Sequence, residues 1–214
     1  MGRTFFEKIV TADALLSNVD DYTDVSKALW ESLKEIAGDS PLIFMGHGTE
    51  HSADESYMII EQALRAYARH PVYIATVEGK RTIQDVIRQM KDEGIVNTRV
   101  VIAPFMLVAG DHANNDMAGE EKDSHKSVLE ANGITVKTYI HGLGENEAIR
   151  ALFAARADEA AQERIWYPGG FPCEPGDHRR NGVVDDGPCC GRVEDEVGQE
   201  LRRLPVRLMQ RRVA

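Results

Sequence analysis

The first 165 residues of this 214-residue chain contain no cysteine; Cys173, Cys189 and Cys190 all lie beyond them. The main body is therefore neither stapled by disulfides nor built on a cysteine-ligated zinc. Long apolar runs are also missing, and no stretch approaches the ~20 residues that a membrane-spanning helix needs. Arg3, Glu7 and Lys8 break up what a signal peptide would keep apolar. Phe6 stands where a myristoylation signal wants Ser or Thr. These absences predict a soluble, cytoplasmic protein with no membrane partner. Basic charge is scarce: 25 Lys and Arg stand against 35 Asp and Glu, for a net charge of −10. Nucleic acid is excluded as a partner on that ground, since it needs a basic footprint. No glycine loop with a phosphate-binding Lys and no dinucleotide fingerprint is present, so neither ATP nor NAD is expected as a cofactor. A homo-oligomer stays open.

What is present is a repeating unit. Pro41 and the apolar run Leu42–Met45 read as a short buried strand that breaks at Gly46-His47-Gly48. Further strands are predicted over 72–77, 99–103 and 134–140. Between them lie helical patterns: one over about 52–67 with Ala53, Tyr57, Ile60, Leu64 and Tyr67 on its core face, and one with Ile83, Val86, Ile87 and Met90. Thr82 and Asp85 resemble a capping box for the latter. A helix is predicted from about Gly119 to Ala131, and a last one from Glu147 to about Ile165. Strand–helix alternation four times over implies an α/β fold, an open parallel sheet with helices on both faces.

In front of the first strand, Phe5, Phe6, Ile9 and Val10 suggest a short helix over 4–16. Val25, Leu29, Leu33 and Ile36 mark a second helix that Gly38 ends. No strand precedes this pair. Behind the last helix the character changes at Tyr167: five of the eight prolines and seven of the eighteen glycines fall in the last 49 residues. Three regions follow: residues 1–40, a helical remnant; 41–165, the α/β lobe; and 166–214, an irregular tail expected to be disordered.

Chemistry gathers at the strand ends. His47 follows the first strand, Glu78 the second and His112 the third, with Gly110 just before it. They are 31 and 34 positions apart, about one strand–helix–strand step each, so the fold itself would bring them to one sheet edge. Two imidazoles and a carboxylate form a mixed N and O set suited to a divalent metal. Without cysteine the site would be exchangeable rather than structural. Each residue taken singly reads as an ordinary loop side chain; the matched histidines argue for the shared site. His51 would be at most a neighbour or a substrate contact. Asp111 and Asp116 flank His112 and would either orient its ring or be plain loop acids. His70, His125 and His141 are expected at the surface or at strand ends. Cys173, His178, Cys189 and Cys190 match no metal-ligand spacing.

Met45-Gly-His-Gly-Thr-Glu-His51, the run from Pro104 to Met117 with its Gly110-Asp-His-Ala-Asn-Asn-Asp116, and Leu143-Gly-Glu-Asn-Glu-Ala-Ile-Arg150 resemble the anaerobic single-subunit cobalt chelatases. These sirohydrochlorin cobaltochelatases are class II chelatases related to ferrochelatase, and the resemblance covers about residues 2–165. It implies ATP-independent insertion of cobalt(II), a substrate metal, into sirohydrochlorin or its precorrin form on the way to cobalamin. It also implies His47 and His112 as catalytic residues, His47, Glu78 and His112 as metal ligands, and Gly48 and Thr49 as substrate contacts. Iron or nickel insertion is the alternative in the same class, because affinity order alone does not set selectivity. Family members have two α/β lobes, and Gly2 to Val10 resembles the segment before the second. A non-catalytic metal- or tetrapyrrole-binding lobe is therefore the alternative from another class, and a metallohydrolase comes third.

Overall fold

Three short apolar runs and the mixed segment Thr135–Thr138 become the four strands of the computed structural model, which describes residues 10–163. The strands are β1 (Leu42–Gly46), β2 (Val72–Thr76), β3 (Arg99–Pro104) and β4 (Thr135–Thr138), all parallel, in the order β2-β1-β3-β4. Parallel pairing requires crossovers, and helices supply them: α2 (Glu55–Ala68), α3 (Ile83–Asp92) and α4 (His125–Ala131). Helix α1 (Val19–Ala37) precedes the sheet and α5 (Glu147–Glu163) follows it. The chain divides into two units, Tyr22–Ala154 and the two flanking segments.

In the larger unit, side-chain alternation sorts the strands into two faces. Ile43, Met45, Tyr73, Ala75, Val100 and Ile102 form one core with Ile83, Val86, Ile87 and Met90 of α3 and Leu129 of α4. All four predicted α3 positions are buried, and Thr82 with Asp85 closes the capping box at its start. Phe44 and Ala103, of the opposite parity, line a cleft with Leu29 and Leu33 of α1. Helices thus cover both faces. Val25, Leu29 and Leu33 are buried as their spacing predicts, and Gly38 ends α1 with φ of 55°.

β2 is an edge strand, and its outward amide at Ile74 would invite another strand. Glu61, buried on α2, accepts that N–H at 2.6 Å and pairs with Arg81 at 3.0 Å. Burial pushes the Glu61 carboxyl above its usual range, while the Arg81 charge acts in the opposite direction. Around it, Glu93 accepts from Arg65, Tyr73 and Gln89. Burial opposes its charge, yet these three donors together bring its pKa down to about 2.

Several expectations need correction. Ala53 is exposed, Tyr57 half-buried and Tyr67 40% exposed, so the core face of α2 narrows to Ile60 and Leu64. The helix predicted from Gly119 starts only at His125. Ser124 caps it, accepting from Ser127 N–H at 3.1 Å, and the charged run 120–123 stays outside. Within the loop after β3, Ala113–Met117 forms a π-helical turn. β4 is shorter than 134–140, and residues 10–14 carry no regular structure where a helix was expected.

In the smaller unit, Asn18 and Asp21 cap α1 reciprocally: each side chain accepts the other's backbone N–H, at 3.1 and 3.0 Å. Asp21 also pairs with Arg156 of α5. The tail from 166 and residues 4–9 of the first predicted helix lie outside the described residues. Among the described residues no helix is long and apolar enough to cross a membrane.

Candidate functional site

β1 has β2 on one side and β3 on the other, so the chain steps from β1 to β2 and then crosses back past β1 to β3, reversing the direction in which strands are added. At such a switch point the loops at the strands' C-terminal ends part and leave a crevice. His47 follows β1, and His112 lies eight positions beyond β3. Their rings meet edge to face, with centroids 4.9 Å apart. Glu78, beyond β2, brings Oε2 to 3.7 Å from Nδ1 of His47. The three predicted ligands therefore converge on one edge. Side-chain exposures of 47%, 39% and 61% leave all three open to solvent. They do not form a closed cage: among the described residues no group of three His, Cys, Asp or Glu side chains is arranged to hold a metal ion.

The loops are brought together by close backbone contact. Val77 N–H donates to Gly46 O and Glu78 N–H to His47 O, at 3.1 and 2.8 Å, which extends the β1–β2 pairing to the site. Gly48 has φ of 84°, and a Cβ there would lie 2.2 Å from the Gly79 nitrogen. Only glycine fits on both counts. Beneath the contact lies Asp54, 6% exposed, whose Oδ1 accepts from Thr49 N–H and Oδ2 from Lys80 N–H, each at 3.0 Å. One buried carboxylate thus binds the loop carrying His47 to the loop carrying Glu78. Asp54 immediately precedes α2 but makes no side-chain cap bond to it.

Each histidine is fixed through Nδ1. In His47 that nitrogen lies 3.1 Å from Gly48 O, and a carbonyl only accepts, so Nδ1 carries the proton when the ring is neutral. In His112 it lies 2.5 Å from Oδ2 of Asp116. Asp111 is engaged elsewhere, accepting from the Asn115 side chain at 2.7 Å, so Asp116 is the carboxylate that meets the ring. Both histidines are left with Nε2 as the nitrogen that can bind a metal or accept a proton.

Of the other singled-out residues, Gly48 and Thr49 share the His47 loop. The amide of Thr49 is committed to Asp54, and its hydroxyl accepts from His51 N–H at 3.2 Å. His51 caps the 3-10 turn Ser52–Asp54 through Nδ1, which accepts from Ala53 N–H. His141 pairs with Glu145 at 2.7 Å, a bond that lowers the Glu145 pKa. His70 donates to Ser40 O at 2.9 Å. His125 is not at the surface: burial at the start of α4 pushes its pKa down to about 4, with the Asp116 charge acting the other way. A cleft of about 310 Å³, lined by Leu29, Phe44, Tyr139, His141 and Asn146 among others, excludes the imidazole pair.

Comparison with known proteins identifies what the chain is similar to. The family model described as cobalt chelatase (CbiK) matches residues 3–162. A sirohydrochlorin cobaltochelatase of Salmonella typhimurium is 37% identical over 158 residues, 74% of this chain and 59% of that protein. Sirohydrochlorin cobaltochelatase CbiKC of Nitratidesulfovibrio vulgaris is 37% identical over 109 residues, 51% of this chain and 38% of that protein. The chain thus spans less than two thirds of the length of either relative. The family model covers well over half of the chain, and on that match the chain belongs to the cobalt chelatase (CbiK) family.

Proposed function

We propose that this chain takes part in inserting cobalt(II) into sirohydrochlorin, or its precorrin form, with His47, Glu78 and His112 as the groups that meet the metal. The observation that carries the reading is the edge-to-face pair of His47 and His112 beside Glu78 at the switch point of a parallel sheet. The two relatives bear the name sirohydrochlorin cobaltochelatase, which supports cobalt as the substrate metal and sirohydrochlorin as its acceptor.

The chemistry of insertion explains why such groups would be used. As the metal enters the macrocycle, two pyrrole N–H protons leave and the hydrated ion sheds its waters. An imidazole with a bare Nε2 serves either need, as a ligand that replaces water or as a base that accepts a proton. Glu78 would offset part of the metal's charge beside His47. An open set of ligands suits an ion that must be handed on, whereas a closed tetrahedral cage would retain it. Gly48 and Thr49, next to His47, would contact the macrocycle. No phosphoryl or hydride transfer enters this scheme, so it needs neither ATP nor NAD, and the reaction belongs in the cytoplasm.

The test follows the change in tetrapyrrole absorbance when cobalt(II) and sirohydrochlorin are mixed with the chain, alone and with the portion of a longer relative that this chain does not match. Insertion that His47→Ala and His112→Ala each abolish is the expected result. Unchanged insertion by both variants would overturn the assignment.

A further inference from the structure

We infer that Asp116 is a positioning residue for metal insertion: it holds His112 with its proton on Nδ1 and its bare Nε2 turned to the site. The inference rests on the reading that His112 meets the metal, and it adds a residue to that site. Asp116 Oδ2 lies 2.5 Å from His112 Nδ1, within hydrogen-bond reach, and the acceptor is a carboxylate. His112 stands at the start of the π-helical segment Ala113–Met117 and Asp116 lies within it, and the winding of that segment brings the two side chains, four positions apart, together. π-turns are rare and frequently occur at functional sites. The other polar side chains of the turn face elsewhere: Asn114 donates to Gly110 O and Asn115 to Asp111. Asp116 is thus the side chain that meets the His112 ring.

The chemistry requires such a partner. A neutral imidazole carries its proton on either nitrogen, and only the one without it can bind a metal or take a proton. A carboxylate at Nδ1 selects the form with Nε2 free, fixes the ring plane and raises the ring's donor strength. It also supports the imidazolium that forms if Nε2 accepts a pyrrole proton. In His47 the backbone carbonyl of Gly48 meets Nδ1, and that carbonyl carries no net charge. Glu78 Oε2 stands 3.7 Å from the same nitrogen, beyond hydrogen-bond distance, so His112 is the ring of the pair whose Nδ1 a carboxylate binds directly.

The test uses the full chain labelled with 15N histidine, without metal or tetrapyrrole. Two-bond 15N–1H correlation spectra taken where the imidazoles are neutral read the tautomer of each ring, and His112→Gln assigns its signals. The expected wild-type result is Nδ1–H and bare Nε2 for His112. In Asp116→Asn, whose side-chain amide can donate to Nδ1, and in Asp116→Ala the signals should shift toward the Nε2–H form. Cobalt(II) affinity should fall by about 10–100-fold in both, the range seen when outer partners of ligating histidines are removed. The melting temperature of the isosteric Asp116→Asn should stay as in wild type, separating positioning from folding. A wild-type His112 protonated on Nε2, or two variants that keep both tautomer and affinity, would overturn the inference. Should His112→Ala leave cobalt binding unchanged while the spectra show Nδ1–H, the site reading has failed and the positioning has not.

Discussion

Asp54 offers a direct probe of how the site is held. Its carboxylate is 6% exposed and accepts two backbone N–H groups, of Thr49 and Lys80, each at 3.0 Å. A hydrogen bond to a charged group contributes about 1.5–3 kcal/mol, so two bonds place the loss for Asp54→Ala at about 3–6 kcal/mol. The freed amides lie in surface loops that water can enter, which puts the value near 3 kcal/mol. Asp54→Asn keeps one acceptor and turns an NH₂ toward the second amide, so it should lose about 1.5–3 kcal/mol, one such bond. Urea unfolding measures both, and an unchanged slope would show that the native state stays compact. Because Asp54 joins the His47 loop to the Glu78 loop, cobalt(II) affinity should fall as well, although the carboxylate is not among the proposed ligands. A cost of Asp54→Ala within about 0.5 kcal/mol, the range of ordinary surface changes, would refute the clamp.

Gly48→Ala should cost about 1–2 kcal/mol for the left-handed backbone alone. The new Cβ would also overlap the Gly79 nitrogen, so cobalt binding should drop more than thermal stability does. His125 should make the fold sensitive to acid. Its folded pKa of about 4 lies below the ordinary 6.5, so the unfolded chain takes up the proton first as pH falls. The stability it contributes is complete above pH 6.5 and is lost between 6.5 and 4, about 2 kcal/mol of it between pH 7 and pH 5. Comparing urea midpoints at those two pH values for wild type and His125→Gln checks this, and equal slopes with pH would contradict it.

Much of the fold could be read because burial follows element periods. Spacings of three and four marked α3 residue by residue, and short apolar runs ending in glycine marked β1 and β2. The convergence of His47, Glu78 and His112 was equally legible, since parallel strands joined by helices must end on the same edge. What could not be read depends on tertiary approach. Asp54 looks like any acid before a helix until two loops close over it. Asp116 sits at the right spacing for His112 only if the turn between them is wound, and nothing in Ala113-Asn-Asn-Asp116 announces a π-turn. His125 follows a charged run and so reads as exposed; Ser124, a good N-cap residue, was the available sign that the helix begins there.

The central claim is that His47 and His112 serve one metal ion. A double-mutant cycle on cobalt(II) binding by the chain tests it most directly: wild type, His47→Ala, His112→Ala and the double variant. If both rings meet the same ion, the first loss breaks the site and the second adds little. The two effects should then be less than additive, with a coupling of about 0.5–3 kcal/mol. Effects that simply add, or single variants that bind cobalt(II) as wild type does, would contradict the account.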